Sequence, residues 1–226
     1  MDLQKYFKLI NKDCEGKFEK FYELLDFHNK MYNLTAICGK EEVFLKHFLD
    51  SAAGESFFKE GAKVVEIGSG GGFPSIPLKI IREDLDFFLI ESTGKKCIFL
   101  DCVVDNLNLS GVKVENARAE EAARRPELRE KFDCATARAV ARLNVLCEYC
   151  LPFVKKGGRF IAYKGDCDEE VKEAENAVKI LGGRIERVEK YSLPNGDRRS
   201  LIIIEKTGST PLKYPRGNGK ERKQPL

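Results

Sequence analysis

Val64-Val65-Glu66-Ile67-Gly68-Ser69-Gly70-Gly71-Gly72-Phe73-Pro74 is the stretch on which the reading of this chain turns. A short β-branched run ends in an acid and opens into glycines. An apolar, helix-like segment follows, and a second hydrophobic run ends in another acid at Glu91. That order describes a strand, a tight loop, a helix, a strand and a carboxylate placed for a ribose, the nucleotide-cofactor corner of a Rossmann-type sheet. Gly68, Gly70 and Gly72 let the backbone come close to a ligand. The strict dinucleotide fingerprint G-x-G-x-x-G fails, because its sixth place is Phe73 counted from Gly68 and Ser75 counted from Gly70.

Working outward, strands and helices alternate from Lys63 onward. Strands are expected near Lys63–Ile67, Phe87–Glu91, Val112–Asn116, Cys134–Arg138, Arg159–Tyr163, Arg184–Tyr191 and Ser200–Lys206. Helices are expected near Pro77–Arg82, Lys95–Asn108, Ala119–Arg124, Leu143–Leu151 and Glu169–Leu181. Alternation implies parallel strands joined by right-handed crossovers. The last link differs. Only Ser192 to Arg199 separate the sixth and seventh strands, and Asn195-Gly196 is a hairpin turn signal. A link this short is no crossover, so the seventh strand runs antiparallel. Upstream, Phe18, Phe21, Tyr22, Leu25 and Met31 recur at helical spacing, as do Phe44, Phe48 and Ala52. The expected division is an N-terminal helical extension (1–60), a Rossmann-like core (61–206) and a basic Pro/Gly-containing tail (207–226).

The 226 residues suffice for one sizeable core. No run of eighteen apolar residues occurs, and the first residues lack a signal peptide's apolar region, so no membrane span is expected. The eight scattered cysteines suit a reduced, cytoplasmic setting. Cys147-Glu148-Tyr149-Cys150 is a CxxC late in its helix, where the dipole does not favour a thiolate, so both cysteines are read as packing residues. The net charge is +3, and the stretch from Lys206 to Leu226 holds six bases and one acid, so the rest of the chain is slightly acidic. The tail therefore reads as an extended basic arm, or more plainly as a solvated end.

No Walker-type lysine stands in the glycine loop, which disfavours phosphate cradling. Glu66 and Glu91 flank it, and a carboxylate can accept both ribose hydroxyls. Such a loop suits a positively charged ligand without phosphate. S-adenosylmethionine (SAM), with its ribose, adenine, ammonium and sulfonium, fits that description. A parallel sheet ending in an antiparallel hairpin resembles the class I SAM-dependent methyltransferases. The expected fold is thus α/β: a Rossmann-like seven-stranded sheet with an antiparallel seventh strand, plus N-terminal helices.

The resemblance extends to one family. Asn33-Leu34-Thr35-Ala36-Ile37 and Lys46-His47-Phe48-Leu49-Asp50-Ser51 look like N-terminal signatures of the RsmG (GidB) family, and Gly68 to Pro74 with Ile76-Pro77-Leu78 is similar to its cofactor loop. Arg118-Ala119-Glu120-Glu121, Phe132-Asp133, Arg138-Ala139, Lys164-Gly165, Thr210-Pro211, Tyr214-Pro215-Arg216 and Pro225-Leu226 resemble further blocks. Gly71 and Ser75 stand where many members have alanine and glycine, and Glu66 and Glu91 where aspartate is common. The resemblance implies methyl transfer from SAM to N7 of a guanine in bacterial 16S ribosomal RNA, free or in the small ribosomal subunit, by a monomeric protein. It implies that Gly68 and Phe73 line the cofactor, that Glu91, Ser92 and Thr93 sit at the ribose, that Ala119 and Glu120 flank the adenine, and that Arg138 reaches the cofactor end of its strand. Phe73 and Ala119 would otherwise be ordinary packing residues.

Guanine N7 carries an exposed lone pair. No proton has to leave it, so neither a general base nor a metal is required, and positioning carries the reaction. Arg138 and Lys164 are the candidates nearest the chemistry. Asn33, His47, Lys164, Lys213, Arg216, Lys220, Arg222 and Lys223 are candidates for RNA contact. His47 and His28 share helical faces with apolar residues and suit structural roles, and Asn33 suits a turn or cap. The rival readings are a methyltransferase with another substrate, a non-catalytic RNA-binding or ribosome-assembly factor on the same fold, and a nicotinamide oxidoreductase. Phe73 and the hairpin disfavour the last.

Overall fold

A computed structural model describes residues 4–11, 16–138 and 141–226. Ala139 of the Arg138-Ala139 block and Met1 to Leu3 of the N-terminus lie outside them. Helices α1 (Gln4–Asn11) and α2 (Lys17–Tyr32) come first, then α3 (Lys40–Val43), a π-helical turn (Phe44–Leu49) and α4 (Asp50–Ala52). The alternating core follows: β1 (Lys63–Ile67), α5 (Ser75–Ile81), β2 (Asp86–Glu91), α6 (Gly94–Asn106), β3 (Val112–Asn116), α7 (Ala119–Ala122) and β4 (Phe132–Arg138). It continues through α8 (Leu143–Cys150), β5 (Val154–Lys164), α9 (Asp168–Ile180), β6 (Gly183–Ser192) and β7 (Arg198–Lys206), with α10 (Lys220–Lys223) near the end.

The seven strands form one sheet in the order β3-β2-β1-β4-β5-β7-β6. The β1–β2, β2–β3, β1–β4 and β4–β5 pairs are parallel, and β7 runs antiparallel to both β5 and β6. Its hairpin turns at Gly196, whose φ of 89° suits glycine, and closes with Leu193 N–H donating to Asp197 O at 2.9 Å. Strand order reverses between β1 and β4, and ligands of open α/β sheets bind outside the carboxyl ends of the strands at such a point.

Two cores lie on the two faces, sorted by strand parity. Val64, Leu89, Ile161 and Ile203 face one side, where they pack with Phe18, Phe21 and Leu25 of α2 and with Phe48. Val65, Ile90, Phe160, Ile202 and Ile204 face the other, with α8, α9 and Tyr214. Alternate residues of a strand point to opposite faces, so Glu66 shares its side with Val64 and the N-terminal helices. That parity, with apolar residues at nearly every place, is why the central strands read as continuous hydrophobic runs. Cys147 and Cys150 are fully buried in the second core, and burial pushes both thiols up, as packing cysteines require.

Two features depart from the sequence reading. The helical phase through Phe44 and Phe48 holds, with the rings 4.7 Å apart, but this stretch is a π-helical turn that buries His47, Phe48 and Leu49 in succession. The tail is not an extended arm. Thr210, Tyr214 and Glu221 are buried. Arg129 donates to the carbonyls of Thr210 and Tyr214, and fully buried Lys206 donates to Thr210 Oγ1 and Leu151 O. Arg216 grips Glu148, itself 1% exposed, through Nε at 3.0 Å and Nη2 at 2.7 Å. Charge counted along the tail alone overlooks these acids and carbonyls of the core.

Glu148 would stand nearly uncompensated without that guanidinium. Removing one member of a buried pair typically costs about 3–5 kcal/mol, and the partial exposure of Arg216 moderates this to about 2–4 kcal/mol. Arg216→Ala should therefore lower unfolding stability by that amount, read as a shift of the urea midpoint. A change within 0.5 kcal/mol, on the order of a neutral surface substitution, would mean that the tail is not anchored there.

Candidate cofactor and active site

The glycine loop follows β1 and crosses its carboxyl end. Gly68 N–H donates to Ile90 O at 2.8 Å, which ties the loop to β2. Gly72 has φ 84°, and a Cβ there would lie 2.6 Å from Ile76 Cγ1, so α5 can pack this closely only against glycine. Glu91, at the end of β2, braces the loop: Oε2 accepts from Gly70 N–H at 3.0 Å and Oε1 from Thr93 N–H at 2.8 Å.

Glu66 is completely buried beneath the loop. Its Oε2 accepts weakly from Ser75 N–H at 3.4 Å, while Oε1 has no protein partner. Burial pushes its carboxyl up to about 8, against the opposing pull of Ser75 and Arg138. An unpartnered buried carboxyl oxygen suits a ligand that brings a donor or a positive charge.

Beside the loop, at the ends of β1 and β2, lies a cleft of about 330 Å³. Gly68, Ser92, Ala119 and Glu120 line it, four residues named from three separate blocks of the sequence, and Gly219 and Arg222 of the tail line it as well. Glu66, Gly70, Gly72, Phe73, Glu91, Thr93 and Arg138 do not line this cleft. They surround the loop and the neighbouring end of β4.

There Arg138 meets the N-terminal helices. Its guanidinium lies 4.8 Å from the centre of the Phe73 ring, and Phe73 stacks on His47 with ring centres 4.2 Å apart. Arg138 Nη2 donates to His47 Nδ1 at 2.6 Å, and Nη1 to Lys46 O at 3.1 Å and Asp50 Oδ2 at 3.3 Å. Because arginine only donates, Nδ1 must be the acceptor, so the imidazole is neutral with its proton on Nε2. That proton is donated to Thr35 Oγ1 at 2.8 Å. Burial and the Arg138 charge depress His47 to about 3. Asp50 also accepts from Tyr191 O–H at 2.7 Å and lies 3.6 Å from Arg199 Nε.

The other sequence candidates are dispersed. Lys164 stands at the end of β5, where it donates to Ala141 O at 2.5 Å and pairs with Glu170 at 2.8 Å. Asn33 is exposed and closes α2 in the left-handed region with φ 50°. His28 packs on Phe99 and lies 3.7 Å from Cys102 Sγ. Lys213, Lys220 and Lys223 are exposed, and Arg216 is held by Glu148. The sequence reading gave no site role to Asp50, Tyr191, Arg199 or Tyr149. Asp50 stood inside a quoted block, and nothing local marks the other three.

The chain matches the family model GidB, described as rRNA small subunit methyltransferase G, over residues 14–202. It is 43% identical to the ribosomal RNA small subunit methyltransferase G of Lactobacillus johnsonii, over 100% of this chain and 97% of that protein. It is 47% identical to the protein of the same name from Pelotomaculum thermopropionicum, over 96% of this chain and 93% of that one. Among solved structures, a SAM-dependent O-methyltransferase from Thermotoga maritima superposes with a TM-score of 0.56 at 18% identity, over 83% of this chain and 72% of its own. TYW2 of M. jannaschii, crystallised with AdoMet, gives a TM-score of 0.54 at 15% identity, over 70% of this chain and 74% of its own. These likenesses show the fold.

Glu66 and His47 leave opposite marks on stability. Glu66 takes up its proton more readily folded than unfolded, so its contribution is complete below the ordinary value of 4.5 and is lost as pH rises through about 8. His47 resists protonation when folded, so its contribution is complete above 6.5 and is lost as pH falls toward 3. Glu66→Gln should remove the alkaline loss. Between pH 5 and 9 the ligand-free variant should gain stability on the wild type by up to about 1.4 kcal/mol per pH unit inside the window. Parallel urea-midpoint profiles would show that Glu66 is ionised in the fold.

Proposed function

We propose that this protein, which belongs to the rRNA small subunit methyltransferase G family, transfers a methyl group from SAM to N7 of a guanine in bacterial 16S rRNA, free or within the small ribosomal subunit. The observation that carries the reading is the cleft itself. Gly68, Ser92 and the pair Ala119-Glu120 come from three separate stretches of sequence, the resemblance assigns them to the cofactor, its ribose and its adenine, and they line one cavity at the sheet's switch point.

In this reading the cleft holds the adenosine with Ser92 at the ribose, Glu91 braces the loop beside it, and the buried Oε1 of Glu66 is left for the positively charged end of the ligand. SAM, when bound, supplies an electrophilic methyl group. The chain's task is to place guanine N7 in line behind that methyl and to exclude competing water. N7 attacks through its own lone pair, so no side chain has to remove a proton. The residues at the end of β4 fit that economy. His47 has both nitrogens engaged and is depressed to about 3, and Arg138 is a donor only, so neither is set up as a base. Arg138, fixed by Asp50, His47 and the Phe73 face, is the positioning group for the target base, and Lys164 holds the adjoining loop at Ala141.

Two measurements test this. Small subunits and 16S rRNA from cells lacking the protein should accept labelled methyl from SAM, with chemical cleavage mapping the product to a guanine N7. Absence of transfer to either substrate would sink the reading. Arg138→Ala should lower methyl transfer at least 100-fold, on the order of 3 kcal/mol in the barrier, while far-ultraviolet dichroism and SAM binding persist. Full activity in that variant would remove Arg138 from the site.

A further inference from the structure

Charge along the tail suggested an RNA arm, yet the tail is folded against the core and two of its residues line the cleft. Gly219 and Arg222 share that cavity with Gly68, Ser92, Ala119 and Glu120. Resting on the SAM reading above, we propose that the segment Gly217–Lys223 is the outer wall of the adenosyl pocket, and that the Arg222 guanidinium is a cofactor-binding group directed at the adenine.

Three independent observations carry this. The first is anchoring. Glu148 holds Arg216 through both its backbone N–H and its guanidinium, and Arg124 Nη2 donates to Pro215 O at 2.5 Å. Glu221 is fully buried and accepts from Gly217 N–H. The segment just before the wall is thus fixed to α8 and to the turn after α7, so the wall is held in place before any ligand arrives and little ordering cost falls on binding.

The second is backbone conformation. Gly219 has φ 72°, and a Cβ built on it would meet no atom within 4 Å. The chain crosses the cleft with no side chain of its own at that point, leaving room for a flat ring.

The third is chemical complement. Isoleucine, alanine and tyrosine side chains line much of the rest of the cavity, and Glu120 is its acid. Of its two basic residues, Arg118 lies 3.9 Å from Glu120. Arg222 lines the side closed by the tail, where its side chain hydrogen-bonds Tyr149, another residue of the cavity wall. Adenine offers ring-nitrogen acceptors and a π-face, and a guanidinium can donate to the first or stack on the second.

The test uses the full chain with S-adenosylhomocysteine and adenosine as probes in titration calorimetry. Arg222→Ala should weaken both ligands tenfold or more and by similar factors, because the loss lies at the adenine they share. Its ligand-free melting temperature should match the wild type, since Arg222 is exposed. Lys172→Ala, an equal change of charge on the exposed side of α9, should leave both affinities unchanged. Wild-type affinities in Arg222→Ala would overturn the inference. So would a variant that loses salt-dependent rRNA binding while keeping both ligands, because Arg222 would then be an RNA contact. A wild type that binds neither probe would overturn the SAM reading itself, and that control separates the two failures.

Discussion

The Asp50 carboxylate is the point to which the site is tied. It sits 4% exposed at the end of the N-terminal helical run, where it accepts from Arg138 at the end of β4 and from Tyr191 in β6, and lies close to Arg199 in β7. A buried carboxylate is tolerable only with such partners. Its presence therefore obliges three remote parts of the chain to meet at the carboxyl end of the sheet. His47, Phe73 and the Arg138 guanidinium stack in the corner that results. Their order is imposed from the outer helices inward, and the glycine loop inherits a rigid flank from it.

Much of the sheet was legible beforehand, for physical reasons. β1, buried over nearly its whole length, could be bounded to the residue, and so could the edge strand β3, where Val112 and Val114 alternate with Lys113 and Glu115; the other strands were found with ends short by one to five residues. The antiparallel seventh strand followed from a link too short to cross over and from one Asn-Gly pair. The glycines and the two acids of the loop were legible because a sharp turn and a strand end each restrict residue choice locally. Asp50, Tyr191 and Arg199 were not, since nothing within a few residues of any of them records a partner far along the chain. The tail failed for the same reason. Its bases were counted as free charge, but Glu148 and the carbonyls that fix it belong to distant elements. The π-helical turn keeps the same i, i+4 phenylalanine pair as an α-helix, so spacing alone could not distinguish them.

Glu66 and Glu91 show how one residue type serves two ends. Both stand at the carboxyl end of a parallel strand beneath the same loop. Glu91 takes two backbone donors and so braces the loop as an acceptor. Glu66 has one weak protein donor, and burial favours its neutral form. The difference is made by the backbone around each carboxyl, not by the side chain.

The hydrogen bond from Tyr191 to Asp50 joins residues 141 apart, and that from Arg138 to His47 joins residues 91 apart. Contacts at such separation carry a large loop-closure entropy and are made only after nearer pairings have shortened the path between their ends. Tyr191 and Arg199 reach Asp50 only with the β6–β7 hairpin in place. A chain with its central strands paired but its hairpin undocked would keep the glycine loop and leave Asp50 without Tyr191 and Arg199. The corner is therefore complete only where the N-terminal helices and the terminal hairpin are both seated on the central strands.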